Sequence, residues 1–101
     1  KNHCDSYENN NSEKTKRVFS NGGQRIYTAL CYLNNVKKGG GTRFTILNKT
    51  INPEKGKLLI FSNIVKNSIE RDNNSEHCGM PVIEGEKYAF NLWFREKPVV
   101  N

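Results

Sequence analysis

Most residues that would advertise a function directly are scarce in this chain. Cysteine occurs three times, as Cys4, Cys31 and Cys78. That odd count, with no C-x-x-C pair, argues against a disulfide framework and predicts a reducing, cytoplasmic compartment. No apolar run approaches a membrane span and no charged-apolar-small leader opens the sequence, so no membrane partner is expected. The Gly39, Gly40, Gly41 run is not followed by G-K-[ST], which removes a phosphate-binding loop. Long single-sign blocks are also missing. The net charge of +6 is scattered over sets such as Lys14, Lys16 and Arg17, then Lys37 and Lys38, then Lys55 and Lys57. Without interleaved aromatics these read as solvated loop charge, and nucleic acid is not an expected partner.

What is present suits one small soluble domain spanning 1–101, with 35% apolar and 26% charged residues. From Tyr7 to Gly23 the chain is polar and Asn-, Ser- and Lys-rich, which predicts a loop. Arg25 to Leu33 is β-branched and aromatic, with apolar residues on both faces, as in a strand covered on both sides. Strands are also expected over Thr42 to Leu47 and Lys57 to Phe61, separated by the N-P-E-K-G turn at Asn52 to Gly56. Pro81 to Glu96 reads as two strands joined around Glu84 and Gly85. No stretch of helix length carries a 3.6-residue apolar period. The fold class is therefore all-β, of sandwich, jelly-roll or barrel type.

The last strand has unlike faces. Lys87, Ala89, Asn91, Trp93 and Arg95 share one, while Tyr88, Phe90, Leu92 and Phe94 form an apolar stripe on the other. A stripe this long needs a cover, and self-association through it is expected.

Histidine occurs twice, so metal chemistry has few places to sit. His3 and Asp5 are one residue apart and share a face if the segment is extended, with Cys4 pointing away. His77 supplies a second imidazole. Two histidines and one carboxylate on a single face of a metal leave the opposite positions open, which suits non-haem Fe(II). Alone, His3-x-Asp5 also fits a solvated histidine near a frayed end. A zinc site drawn from His3, Cys4, His77 and Cys78 needs both segments to be loops. A non-catalytic β domain remains a further alternative.

The sequence of anchors resembles a known family. H-x-D, then G-G-Q-R-I-x-T-x-L-x-Y-L, G-G-x-T, P-x-K-G-x-L-L-x-F and H-x-x-x-P-V-x-x-G-x-K follow in order from His3 to about Glu96. This frame is similar to the catalytic domain of prolyl 4-hydroxylases, in the iron(II) and 2-oxoglutarate dependent dioxygenase superfamily. The resemblance implies a double-stranded β-helix (jelly-roll) core, with His3, Asp5 and His77 as iron ligands. It implies that Lys87 pairs with the distal carboxylate of 2-oxoglutarate and that Thr42 donates a hydrogen bond to it. Arg25, Trp93 and Arg95 fall at substrate-side positions. It further implies molecular oxygen and a peptide or protein substrate, hydroxylation of an amino-acid side chain with peptidyl proline as the default, and ascorbate as the rescuer of oxidised iron. Three departures stand out: Arg95 replaces the histidine of a W-x-H ending, Gly41 replaces an acidic residue, and only Lys1 and Asn2 precede H-x-D. The last gives the look of a truncated core lacking the family's N-terminal helices.

Overall fold

The computed structural model describes residues 1–98. One helix, α1 (Glu13–Ser20), precedes eight strands: β1 (Arg25–Tyr32), β2 (Lys38–Gly39), β3 (Thr42–Phe44), β4 (Lys49–Ile51), β5 (Leu58–Ser62), β6 (His77–Gly79), β7 (Val82–Glu84) and β8 (Ala89–Arg95). The strands pair antiparallel into sheets ordered β5-β1-β8, β4-β3-β6 and β2-β7. This is the all-β jelly-roll core expected from the sequence.

Register decides which residues meet. Thr28 stands opposite Phe61 and Trp93, and Leu30 opposite Leu59 and Asn91, so these share the inner face of the β5-β1-β8 sheet. That face looks onto β3 and β6: the Phe44 ring lies 5.0 Å from Phe61, edge to face, and Phe61 lies 5.1 Å from the His77 ring. The buried apolar set is small, namely Ala29, Tyr32 and Phe44. Buried polar residues fill much of the rest, led by Gln24, Thr28 and Asn63. Gln24 meets its burial cost by accepting from the Tyr7 backbone N–H at 2.8 Å and donating to the carbonyls of Tyr7 and Ile69. It thereby ties the chain just past Asp5 to the start of β1.

Several expectations need correction. The Tyr7 to Gly23 stretch contains a helix, because caps rather than an apolar stripe define it. Ser12 accepts from the Thr15 backbone N–H at 3.1 Å, and the Asn21 N–H closes the other end on the carbonyls of Arg17 and Val18. The strand expected over Thr42 to Leu47 stops at Phe44. The chain then turns at 45–48, with Asn48 in the left-handed region at φ 55°, and returns as β4. The two strands around Glu84 and Gly85 form but do not pair with each other: β7 joins β2 and β8 joins β1. β1 is covered on one face only. Its other face, carrying Tyr27 and Cys31 beside Leu58, Ile60, Phe90, Leu92 and Phe94, is open, with Ile60 59% and Leu92 53% exposed.

Because Phe44 is one of few buried apolar side chains and also backs His77, Phe44→Ala is expected to cost about 3 kcal/mol or more. Urea unfolding measures this, and a midpoint equal to that of the parent protein would contradict the packing described.

Candidate metal centre and active site

Two backbone hydrogen bonds build the site. The His3 N–H donates to the His77 carbonyl and the His77 N–H donates to the His3 carbonyl, each at 2.9 Å. This mutual exchange marks a directly opposed antiparallel pair, which sends both imidazoles to the same side. Their ring centroids are 4.4 Å apart. Asp5, two residues beyond His3, returns to that side and is buried.

Hydrogen bonding then fixes the chemistry of each ring. His77 Nδ1 lies 2.7 Å from the Ser75 carbonyl and His3 Nδ1 lies 3.1 Å from that of Lys1. A carbonyl can only accept, so Nδ1 carries a proton in both rings, and a ring protonated there alone presents a lone pair at Nε2. Those nitrogens lie 3.2 Å (His3) and 3.5 Å (His77) from Asp5 Oδ1. One ligand atom from each of the three residues falls within 4.8 Å of the others. Three lone pairs converging on one point repel unless a cation lies among them, and adjacent ligands at about 2.1 Å from an ion stand about 3 Å apart. The residues present therefore fit a divalent metal held by two histidines and a carboxylate.

The remaining Asp5 oxygen, Oδ2, accepts from the Thr28 hydroxyl at 2.7 Å. Thr28 was not anticipated as a site residue, since threonine is common in strands for its branched side chain alone.

Lys87 and Thr42 line the same cavity, about 140 Å³, as His3, Asp5 and His77, with Leu30 and Phe61 as apolar walls. Burial pushes the Lys87 ammonium pKa below the ordinary lysine value. Its Nζ stands 5.7 Å from the Tyr32 ring, and among the described residues no carboxylate pairs with it. Gly40, at φ +76°, lies against the Lys87 stem, where an added Cβ would come within 3.4 Å. Thr42 Oγ1 is 2.6 Å from the buried Tyr32 hydroxyl. Burial raises the Tyr32 pKa, opposed by its bond to Thr42, so the phenol stays protonated. Tyr32 too escaped the sequence reading, where it stood as a strand aromatic.

The expected substrate-side residues lie elsewhere. The Arg25 guanidinium is sandwiched between Trp93, at 4.1 Å, and Tyr7, at 4.7 Å. Arg25 borders a separate groove of about 370 Å³ shared with Asp5, Tyr7 and Arg71. Arg95 is committed to the end of α1, donating to the carbonyls of Val18, Asn21 and Gly23. The four-ligand zinc arrangement is not formed among the described residues: Cys78 stands opposite Arg43 while His77 stands opposite Phe44, so the strand's two-residue period turns the thiol away.

The family model described as the 2OG-Fe(II) oxygenase superfamily matches residues 1–95. The chain belongs to that superfamily. A relative from Acanthamoeba polyphaga mimivirus that carries a prolyl 4-hydroxylase name is 44% identical over 93% of the chain. Prolyl 4-hydroxylase subunit alpha-1 of Caenorhabditis elegans is 35% identical over 90% of it. Among solved structures, the 2OG complex of viral collagen prolyl hydroxylase from Paramecium Bursaria Chlorella virus-1 superposes with a TM-score of 0.77 at 28% identity, covering 93% of this chain. The chain spans 37% of the mimiviral relative, 16% of the worm subunit and 50% of the viral enzyme's chain. Membership of the 2OG-Fe(II) oxygenase superfamily implies Fe(II) and 2-oxoglutarate.

Replacing His77 or Asp5 by alanine is expected to abolish Mn(II) binding followed by electron paramagnetic resonance, whereas Cys4→Ser and Cys78→Ser leave it intact. Loss of binding in either cysteine variant would restore the zinc arrangement.

Proposed function

We propose that this chain carries the catalytic core of an Fe(II)- and 2-oxoglutarate-dependent dioxygenase that hydroxylates an amino-acid side chain, with proline in a peptide or protein as the substrate. The observation that carries the reading is the convergence of His3, Asp5 and His77 in a cavity shared with Lys87 and Thr42. His3 and His77 hold the metal through Nε2, and Asp5 holds it through Oδ1. Lys87 pairs with the distal carboxylate of 2-oxoglutarate, and Thr42, oriented by Tyr32, donates a hydrogen bond to it. Leu30 and Phe61 keep water from the bound cosubstrate. When bound, iron, 2-oxoglutarate and molecular oxygen supply the oxidising chemistry that replaces a C–H bond by C–OH. Ascorbate serves to return oxidised iron to Fe(II). Arg25, held between Tyr7 and Trp93, meets the substrate peptide, while Arg95 reaches the same Tyr7 ring at 5.6 Å. The free thiols of Cys4, Cys31 and Cys78 accord with a reducing, cytoplasmic setting. No described helix is long and apolar enough to cross a membrane.

Anaerobic addition of Fe(II) and 2-oxoglutarate is expected to give the visible metal-to-ligand charge-transfer band. Its absence from folded protein would leave the non-catalytic β domain. Lys87→Ala should weaken 2-oxoglutarate binding by about tenfold to a hundredfold, the worth of a charged hydrogen bond. Because the depressed pKa makes Lys87 lose its charge earlier than an ordinary lysine, affinity should fall as pH rises through that lowered value, still below 10.5. A pH-independent affinity over that range would contradict the assignment of Lys87.

A second copy of the chain is the proposed cover for the open apolar face of β5, β1 and β8. Tyr27, Leu58, Ile60, Phe90, Leu92 and Phe94 bring no charge of either sign, so the patch does not repel its own image across a two-fold axis. Tyr88, half exposed just before β8, extends it. Light scattering over a range of concentrations should report a dimer, and Leu92→Lys should return a monomer. A monomer at every concentration in the parent protein would contradict the proposal.

A further inference from the structure

The inner face of β1 carries a hydrogen-bonded chain that ends on a metal-ligand candidate and begins at a residue with no other visible task. Asn63, fully buried just after β5, donates from Nδ2 to Thr28 Oγ1 at 2.8 Å. Thr28, almost fully buried, donates from that hydroxyl to Asp5 Oδ2 at 2.7 Å. The direction is forced. An amide NH₂ only donates, and a carboxylate only accepts, so the single hydroxyl proton of Thr28 must point to Asp5. Asn63 is itself held in place by its backbone, donating to the Ile26 carbonyl at 2.8 Å and accepting from the Asp72 N–H at 3.0 Å. Its Oδ1 is buried and has no partner among the described residues. A buried asparagine serving packing alone would satisfy both ends of its amide. Here the donor end meets the threonine, and the acceptor end is left unsatisfied among the described residues, a burial that costs stability.

We infer that Asn63 and Thr28 are positioning residues that decide how Asp5 presents its carboxylate, an inference that rests on the metal site proposed above. With Oδ2 held by the threonine, Oδ1 alone faces the two imidazoles. Asp5 would therefore offer a bound ion Oδ1 alone, with Oδ2 kept by Thr28. The chain also spans the layers of the fold: it runs from the segment after β5, through β1, to the amino-terminal segment paired with β6. The position of the carboxylate is thus tied to strands far apart in sequence. Side chains that hold a metal ligand in this way are worth about tenfold to a hundredfold in metal affinity.

Co(II), whose visible bands report coordination number and geometry, is the probe. In the parent protein, Co(II) titration should saturate at one ion per chain. Thr28→Val, which keeps the shape and removes the hydroxyl, should raise the Co(II) dissociation constant about tenfold and change the band shape as the freed oxygen joins the ion. Thr28→Ser, which restores the donor, should keep the parent spectrum. Asn63→Leu should shift band shape and affinity in the same direction by less, since the threonine proton is then free to turn away. Circular dichroism and the melting temperature of the metal-free proteins identify the folded variants, and either Thr28→Val or Asn63→Leu alone suffices. Parent-like affinity and spectrum in a folded Thr28→Val or Asn63→Leu protein would overturn the inference. So would a weakened Thr28→Ser protein with the spectrum of the valine variant, which would make the effect one of packing. Failure of the parent protein to bind Co(II) at all would instead overturn the metal site itself, and the two failures are distinct.

Discussion

The site depends on one pair of backbone hydrogen bonds, those that His3 and His77 exchange across an isolated antiparallel bridge. Each is worth only about 1 kcal/mol net, yet together they fix the relative position of two residues far apart in the chain. Everything local then follows from strand geometry. Opposed residues project to one side, Asp5 returns there by the two-residue period, and Cys4 and Cys78 are turned away by the same rule. The side chains add the second constraint, because the carbonyls of Ser75 and Lys1 occupy both Nδ1 atoms and leave both Nε2 lone pairs for an ion.

The surrounding fold holds this point with polar as much as apolar contacts. With few apolar side chains fully buried, Gln24, Thr28 and Asn63 serve as internal ties: Gln24 joins the Tyr7 and Ile69 segments to the start of β1, Thr28 joins β1 to Asp5, and Asn63 reinforces the β5-β1 pairing from the side-chain level. Such ties are directional, so they orient the candidate ligands as well as hold them, at the desolvation cost of burying polar groups. The open outer face of the β5-β1-β8 sheet is the converse: apolar area left in water on the side away from the site.

Legibility in the sequence followed the physics of each signal. His3, Asp5 and His77 were readable because only two histidines exist and the H-x-D spacing suits a strand, while Lys87 and Thr42 became readable through the ordered frame of anchors. α1 is hidden from apolar periodicity because Ser12 and Asn21 mark its ends and Val18 and Phe19 are its only large apolar residues. The hairpin of β3 and β4 was missed because its turn rests on Asn48 in the left-handed region, without a Gly or Pro to mark it. Thr28, Asn63 and Tyr32 looked like ordinary strand and loop residues, since what distinguishes them is a partner distant in sequence. Arg95 was legible as a departure, but not as the donor that closes the end of α1.

The most direct test is crystallographic. Crystals grown anaerobically with Fe(II), measured at the iron absorption edge, should show one anomalous peak about 2.0–2.2 Å from His3 Nε2, His77 Nε2 and Asp5 Oδ1 together. A peak bonded to Nδ1 of either ring, to a cysteine sulfur, or at any place these three residues do not share would contradict the account.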